Sequence, residues 1–351
     1  MKKLLSLLPA FALLLALCAC GEAPGDSTPP EELVKYTDDT GRTVELPKEI
    51  TRVAVTGPMT QIVVFALAPD LLVGTANEWD PGAEAYFDPK YFNLPTLGQL
   101  YGGKGSLNLE ELLAAAPQVV IDVGEPKSGT GEDLQKLSEQ TAIPFVHIDA
   151  TTDTMAGAFR RLGVLLNRKD EAETLAAYCE ETIELVERTM NAVGNQRLRL
   201  LYLLGDKGLN VIADGSYHGE IFRMLGTNAA VVNDPSSRGT GNETDMEQLL
   251  LWDPDFIIFS HDSIADTVGD DPVWRELTAI REGNYAKAPY GPYNWMGFPP
   301  SVQRYPGMLW LLDTLYPAYT DFDLRTEVDR YFALFYHCTL TDEQYAAILG
   351  G

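Results

Sequence analysis

Leu107–Ile121 reads LNLEELLAAAPQVVI, and Thr244–Ile258 reads TDMEQLLLWDPDFII. Set 137 residues apart, the stretches match at Glu110 and Glu247, Leu112 and Leu249, Leu113 and Leu250, Pro117 and Pro254, and Ile121 and Ile258. Each reads as a short helix, ended by a proline that cannot continue it, and then a buried strand. In the next element Leu137 and Leu277 correspond at an offset of 140. Matching order at nearly constant offset predicts two related lobes.

Working outward, Leu33–Leu46 (LVKYTDDTGRTVEL) reads as strand, Asp-Thr-Gly turn, strand. Val53–Val55, Val119–Asp122 and Phe145–Ile148 are short apolar strands with helical stretches between them. Leu198–Leu204 and Phe256–Ser260 form a second such set. Strands alternating with helices predict the α/β class, with a mainly parallel sheet in each lobe. Between the halves runs Asp170–Val193, whose apolar positions Ala172, Leu175, Cys179, Ile183, Val186, Met190 and Val193 step by three or four. That stripe is one long helix, opened by a capping box of Asp170 and Glu173 and spanning roughly 36 Å. The expected division is an N-terminal lobe over 33–169, a bridging helix over 170–193, a C-terminal lobe over 194–302 and a helical tail over 303–351. A single stiff bridge allows the lobes only small relative motion.

The chain begins MKKLLSLLPAFALLLALCAC. Two lysines followed by an apolar run are the pattern of a secretory signal, and the run is short for a membrane span. Leu17-Cys18-Ala19-Cys20 resembles a bacterial lipobox, with a small residue directly before Cys20. Cys18 would place bulky Leu17 at that position. Cleavage of residues 1–19 leaves 332 of the 351 residues with a lipid on Cys20, and losing Lys2 and Lys3 takes the net charge from −25 to −27. Residues 21–32 (GEAPGDSTPPEE) have no apolar period and read as a disordered tether reaching roughly 20 Å. A surface this acidic repels phosphate backbones and argues against nucleic-acid binding.

Catalytic signals are weak. Gly98–Lys104 (GQLYGGK) nearly matches a phosphate loop, but Gly105 stands where Ser or Thr should ligate magnesium. No GxSxG, HExxH or zinc-knuckle spacing occurs, so no catalytic or metal-ligating residue and no cofactor is assigned. His147 in a strand and His337 in a helical stretch read as structural. His218 beside Tyr217 and His261 after the strand FIIFS are candidates for ligand contact. Cys179 and Cys338 read as buried thiols, with a disulfide between them left open by the exported setting. Trp79, Tyr101, Tyr217, Tyr293 and Trp295 fall in loops, with Arg238 and Arg304 near some of them. Aromatic faces with a few cations suit a flat or anionic metal chelate.

Several stretches together carry a family resemblance: YTDDTGRTVELPKEITRVAV (36–55), GSLNLEELLAAAPQVVI (105–121), SYHGEIFRMLGTNAAVV (216–232), WRELTAIREGNYAKAP (274–289) and NWMGFPPSVQRYPGMLWLLDTLYP (294–317). In this order and spacing the chain resembles the class III, helical-backbone substrate-binding lipoproteins of ABC importers for iron–siderophore, haem and cobalamin. The resemblance implies two α/β lobes facing a cleft and a monomeric, non-catalytic receptor lipid-anchored at the extracytoplasmic face of a bacterial membrane. It also implies ligand contact from Trp79, Tyr101, Tyr217, His218, Trp295 and Arg304, the last pairing with a ligand carboxylate or oxyanion. Glu110 and Glu247, one per lobe, would dock onto arginines of the permease dimer. An oxyanion such as molybdate is the alternative cargo, and a surface enzyme or a structural adhesin the alternative class.

Overall fold

The computed structural model describes residues 32–101 and 106–350. The signal, the lipidation expected at Cys20, nearly all of the tether, and residues 102–105 of the near-phosphate-loop stretch lie outside them. The described chain opens with an antiparallel hairpin of β1 (Leu33–Thr37) and β2 (Thr43–Pro47). At its turn the Asp38 carboxylate accepts from the backbone N–H groups of Thr40 at 3.1 Å and Arg42 at 3.0 Å, while Gly41 takes φ +82°.

The first lobe follows as β3 (Val53–Val55), α1 (Pro58–Leu67), α2 (Leu109–Ala115), β4 (Val119–Val123), α3 (Thr130–Thr141), β5 (Phe145–Ile148) and α4 (Met155–Leu165). Its parallel sheet has the order β3-β4-β5. The bridging helix α5 (Lys169–Val193) leads to β6 (Arg199–Leu204), β7 (Asn210–Val211), α6 (Glu220–Leu225), β8 (Thr227–Asn228), β9 (Asn242–Glu243), α7 (Met246–Trp252), β10 (Phe256–Phe259), α8 (Thr278–Glu282) and β11 (Tyr285–Lys287). The second sheet runs β11-β10-β6-β7-β9, with β8 beside β6. Its β11, β10, β6 and β8 are parallel, β7 is antiparallel to β6, and β9 is antiparallel to β7. The tail is α9 (Arg304–Leu315), α10 (Leu324–Phe335) and α11 (Asp342–Ile348).

The repeat read from sequence reaches down to register. Val53 pairs with Val119 as Leu200 pairs with Phe256, and Val120 pairs with Phe145 as Ile257 pairs with Tyr285. The two helices of the repeat end alike, in left-handed residues before the prolines: Ala116 at φ 44° and Asp253 at φ 39°. Each left-handed cap is clamped by an arginine. The Arg52 guanidinium donates to the carbonyls of Ala115 and Ala116, and that of Arg199 to the carbonyls of Trp252 and Asp253. Gln118 and Asp255, again 137 apart, then accept from the backbone N–H of Arg52 at 3.2 Å and Arg199 at 2.7 Å. A cation on the last carbonyls of a helix satisfies orphan acceptors at the negative end of its dipole.

One core passes from the first lobe through α5, α9 and α10 into the second, with smaller clusters on the outer face of each sheet. Gly163 lets α4 and α5 touch, since a Cβ there would come 2.4 Å from that of Ala172. Tyr178 on α5 meets Tyr305 on α9 and Tyr331 on α10 edge to face or tilted, with centroids 6.4 and 6.0 Å away. The tail returns to the first lobe, where Gln344 donates to the Ala85 carbonyl at 2.8 Å and the His337 ring bonds the Phe65 carbonyl at 3.2 Å. The bridge is therefore braced along its length.

One sequence expectation is corrected, and one left open is decided. The long helix begins at Lys169 with Arg168 at its N-cap, so Asp170 lies in the first turn and caps nothing; Glu173 pairs with Arg160 instead. Cys179 and Cys338 are free thiols. Burial pushes the Cys179 thiol up to about 12, so it is inert at neutral pH.

Because the clamps are equivalent, Arg52→Ala and Arg199→Ala should each lower stability by about 1–2 kcal/mol, each losing charged bonds at a helix C-terminus. Urea unfolding measures both. A loss in one variant with none in the other would mean that only one clamp holds its helix.

Candidate ligand-binding site

Parallel strands in α/β lobes deliver their loops to ligand at the carboxyl ends. A cleft of about 500 Å³ opens there in the second lobe. Leu204 and Gly205 at the end of β6, Ser260, His261 and Asp262 after β10, and Tyr290 after β11 line it. Asp80, from the loop that follows α1, reaches it from the first lobe. A hollow of about 800 Å³ lies at the other end of the first sheet, against Thr51 and Gln118, which precede β3 and β4. It is edged by residues such as Lys48, Glu49 and Arg168, away from the converging loops.

The cleft wall is a ring pair fixed by one hydrogen bond across the lobes. His261 stacks on Tyr290 at 3.8 Å between centroids and 19° between planes, and the Tyr290 hydroxyl donates to the Asp80 carboxylate. Burial, and then the hydrogen bond to Asp80 and its charge, push the Tyr290 phenol up, while burial lowers the His261 imidazole. At neutral pH the pair is a neutral imidazole on a neutral phenol. Asn294, buried below, donates to the Tyr202 hydroxyl at 2.9 Å and receives the Met296 N–H at 2.8 Å. Its neighbour Phe298 lines the cleft and stacks on His218 at 4.7 Å with planes 6° apart.

Behind His218 lies the second cross-lobe contact. Arg304, the first residue of α9, is 2% exposed. Its guanidinium donates to the Glu220 carboxylate of α6, to the Thr152 hydroxyl at 3.0 Å and to the Tyr217 carbonyl at 3.2 Å. The Thr152 hydroxyl, from the first lobe, donates to the same Glu220 oxygen at 2.6 Å, and Tyr305 donates to the Thr152 carbonyl at 2.6 Å. Tyr217 lies under the cation, 5.3 Å from centroid to guanidinium carbon. Burial draws the guanidinium below its ordinary value, and Glu220 opposes the shift. Burial, then Arg304, lower His218. Glu125 across the gap is pushed up by burial and then by the charges of Glu220 and Asp149.

The residues singled out from sequence therefore fall into three places. Tyr217, His218 and Arg304 come together in the buried cross-lobe contact, and His218 reaches the cleft through Phe298. Tyr101 stands apart in the first lobe, its ring under the Lys127 ammonium at 4.6 Å. Trp79 and Trp295 are packed inside, 6% and 0% exposed, with their indole N–H groups taken by the Tyr91 and Gly291 carbonyls at 3.0 Å each. Neither indole opens onto the cleft; each stands next in sequence to a cleft residue, Asp80 or Asn294. His147 bonds buried Asp122 at 2.7 Å inside the first sheet. Tyr290, Asp80 and Asp262 were missed. Their signal was position, directly after a strand or in a loop facing the strand ends. Among the described residues no group of three or more His, Cys, Asp or Glu side chains is placed to hold a metal ion.

Glu220→Ala would leave Arg304 buried without its counter-charge and should destabilise the protein by about 3–5 kcal/mol. Glu220→Gln keeps an acceptor for Thr152 and Arg304 and should cost less. Chemical unfolding of both variants decides it, and an alanine variant as stable as wild type would deny that Arg304 depends on Glu220.

Residues 53–289 match the family described as periplasmic binding protein. The Fe(3+)-citrate-binding protein YfmC of Bacillus subtilis (strain 168) is 27% identical over 185 residues, 52% of this chain and 56% of that protein. The match thus spans little more than half the length of that relative. An ABC transporter solute binding protein from Sulfurospirillum deleyianum is 25% identical, with a TM-score of 0.81 over 90% of this chain and 99% of that one. A periplasmic solute binding protein from Veillonella parvula is 26% identical, with a TM-score of 0.76 over 91% and 97%. Two repeat-related lobes, a braced helical bridge and a cleft at the strand ends agree with these likenesses, and the chain belongs to the periplasmic binding protein family.

Proposed function

We propose that this protein is the extracytoplasmic solute receptor of an ABC importer, held at the membrane through a lipid on Cys20, and that it captures a metal chelate of the iron–siderophore, haem or cobalamin class. The observation that carries the reading is the cleft at the strand carboxyl ends, walled by the His261–Tyr290 pair and closed from the first lobe by Asp80. Flat rings with a few fixed polar groups suit the faces of a chelate or macrocycle. No helix among the described residues is long and apolar enough to cross a membrane. Retention then falls to the anchor, and more than one acyl chain is needed to make it stable.

In this reading Tyr217 and His218 join Tyr290 and His261 around the ligand, while Trp79 and Trp295 support the wall from behind. Arg304 pairs with a ligand carboxylate only by exchanging Glu220 for it. Such an exchange keeps the buried cation neutralised and makes ligand entry a rearrangement of the cross-lobe contact. Binding without turnover is expected, as for a receptor.

A thermal-shift screen with ferric citrate, a hydroxamate and a catecholate siderophore, haemin, cobalamin and molybdate tests the reading, because stabilisation grows with ligand over Kd. A shift with one of the chelates is expected. A shift with molybdate alone would move the cargo to oxyanions, and silence from the whole panel would end the proposal. For the chelate that binds, Tyr290→Phe and His261→Ala should each raise Kd about tenfold or more, by the loss of a placed polar group or a stacking face. Unchanged calorimetric affinity in both would place the ligand elsewhere.

Docking is assigned to Glu110 and Glu247, exposed in the first turns of α2 and α7. A glutamate there also gains about 0.3–1 kcal/mol from the helix dipole, a role that needs no partner. Glu110→Ala with Glu247→Ala should leave chelate affinity nearly intact and sharply lower ligand-stimulated ATPase of the reconstituted importer. Full stimulation by the double variant would reduce both residues to helix-end charges.

A further inference from the structure

Eight large apolar side chains stand exposed among the described residues: Leu33, Val34, Leu113, Val164, Val231, Leu250, Leu251 and Val273. Single exposed hydrophobics are ordinary and need no partner. One pair here is set apart by the repeat. Leu113 and Leu250 are 137 residues apart, at equivalent places on α2 and α7, and are 51% and 37% exposed. Next to Leu250 on the same helix, Leu251 is 73% exposed, where the first lobe has Ala114. Leu33, Val34, Val164, Val231 and Val273 have no counterpart of this kind.

Each leucine lies three residues after an exposed glutamate, Glu110 or Glu247, and so shares its helix face. The inward side of each helix is already satisfied by Leu112 and Leu249, both wholly buried. Leu113 and Leu250 are thus not core residues that failed to reach the interior. The equivalent arginine clamps and strand registers hold both helices in the same pose on their sheets. An acidic residue and a leucine are therefore presented twice, in like geometry, by two lobes of one rigid body.

We propose that Leu113 and Leu250, with Leu251 beside the latter, form the apolar part of a paired docking surface for a two-fold membrane permease dimer, each leucine entering a hydrophobic site next to a basic group that meets Glu110 or Glu247. The proposal rests on the receptor reading and adds to its charged contacts the part that provides residence. Exposed charge pairs steer association and fix orientation but hold weakly. Burying a leucine slows dissociation and does so independently of salt. The glutamates alone would give a complex lost at physiological ionic strength; the leucines give one that survives it.

The test measures binding of the soluble protein from residue 21 onward to the permease dimer of the same genome in nanodiscs, by biolayer interferometry at 50 and 300 mM salt. Leu113→Ser with Leu250→Ser should weaken binding about 100-fold at both salt concentrations, about tenfold from each site. Glu110→Gln with Glu247→Gln should slow association and flatten the salt dependence. Val164→Ser, on α4, should bind as wild type. Unfolding midpoints equal to wild type in all variants would assign the losses to contact. If wild type docks and the leucine double variant docks equally well, the leucine surface is refuted while the receptor reading stands. If wild type itself fails to dock, the receptor reading and the surface fall together.

Discussion

A guanidinium buried between two lobes has to be neutralised where it lies, and much of the cleft's geometry follows from how Arg304 meets that condition. Glu220 supplies the counter-charge from the second lobe, Thr152 a hydroxyl from the first, and Tyr217 an aromatic face and a carbonyl. Removing any one leaves a desolvated polar group with too few partners, which costs more than the intact contact gains. The lobes are thus held at a fixed separation. The same arrangement puts His218 against Phe298 and so reaches the cleft wall. In the receptor reading proposed above, an incoming anion would offer Arg304 the chemistry that Glu220 provides.

The other constraint is the bridge. Lobes joined by short strands can hinge, but these share a core that runs through α5 and is braced by α9 and α10. Close-packed interiors deform little, so the motion left open at the cleft is rotation of side chains more than a swing of domains. The second cross-lobe bond, Tyr290 to Asp80, fits that scale.

Rigidity has a further consequence on the outside. Two lobes built from one repeat, each helix clamped by an equivalent arginine, present equivalent surfaces at a constant separation. A partner with its own two-fold axis can be met at two points together, which raises the effective concentration of the second contact once the first has formed. The acidic surface, with a formal net charge of −25 for the whole chain, favours a partner that is basic where it is touched.

Local signals fixed a good deal in the sequence alone. The paired helix–proline–strand segments were legible because the proline and the strand's apolar run act within a few residues, and the observed registers follow them. The long helix was legible because its stripe repeats at the helical period. Its first residue was not, because Arg168 and Lys169 begin the helix where α4 packs on α5 through Gly163 and Ala172, a contact outside the local pattern. The site was read less well for the same reason. A loop aromatic has no periodicity to say which way it turns, so Trp79 and Trp295 looked like Tyr217 in sequence, yet their indoles turned inward to carbonyls. Arg304 looked free because Glu220 is 84 residues away. The sequence by itself determined two repeated α/β lobes, a helical bridge and an acidic exterior, since periodicity, prolines and composition are local or additive. Only the tertiary structure decided which charges are spent on each other and which rings face the cleft, because those depend on distances between segments that no local pattern contains.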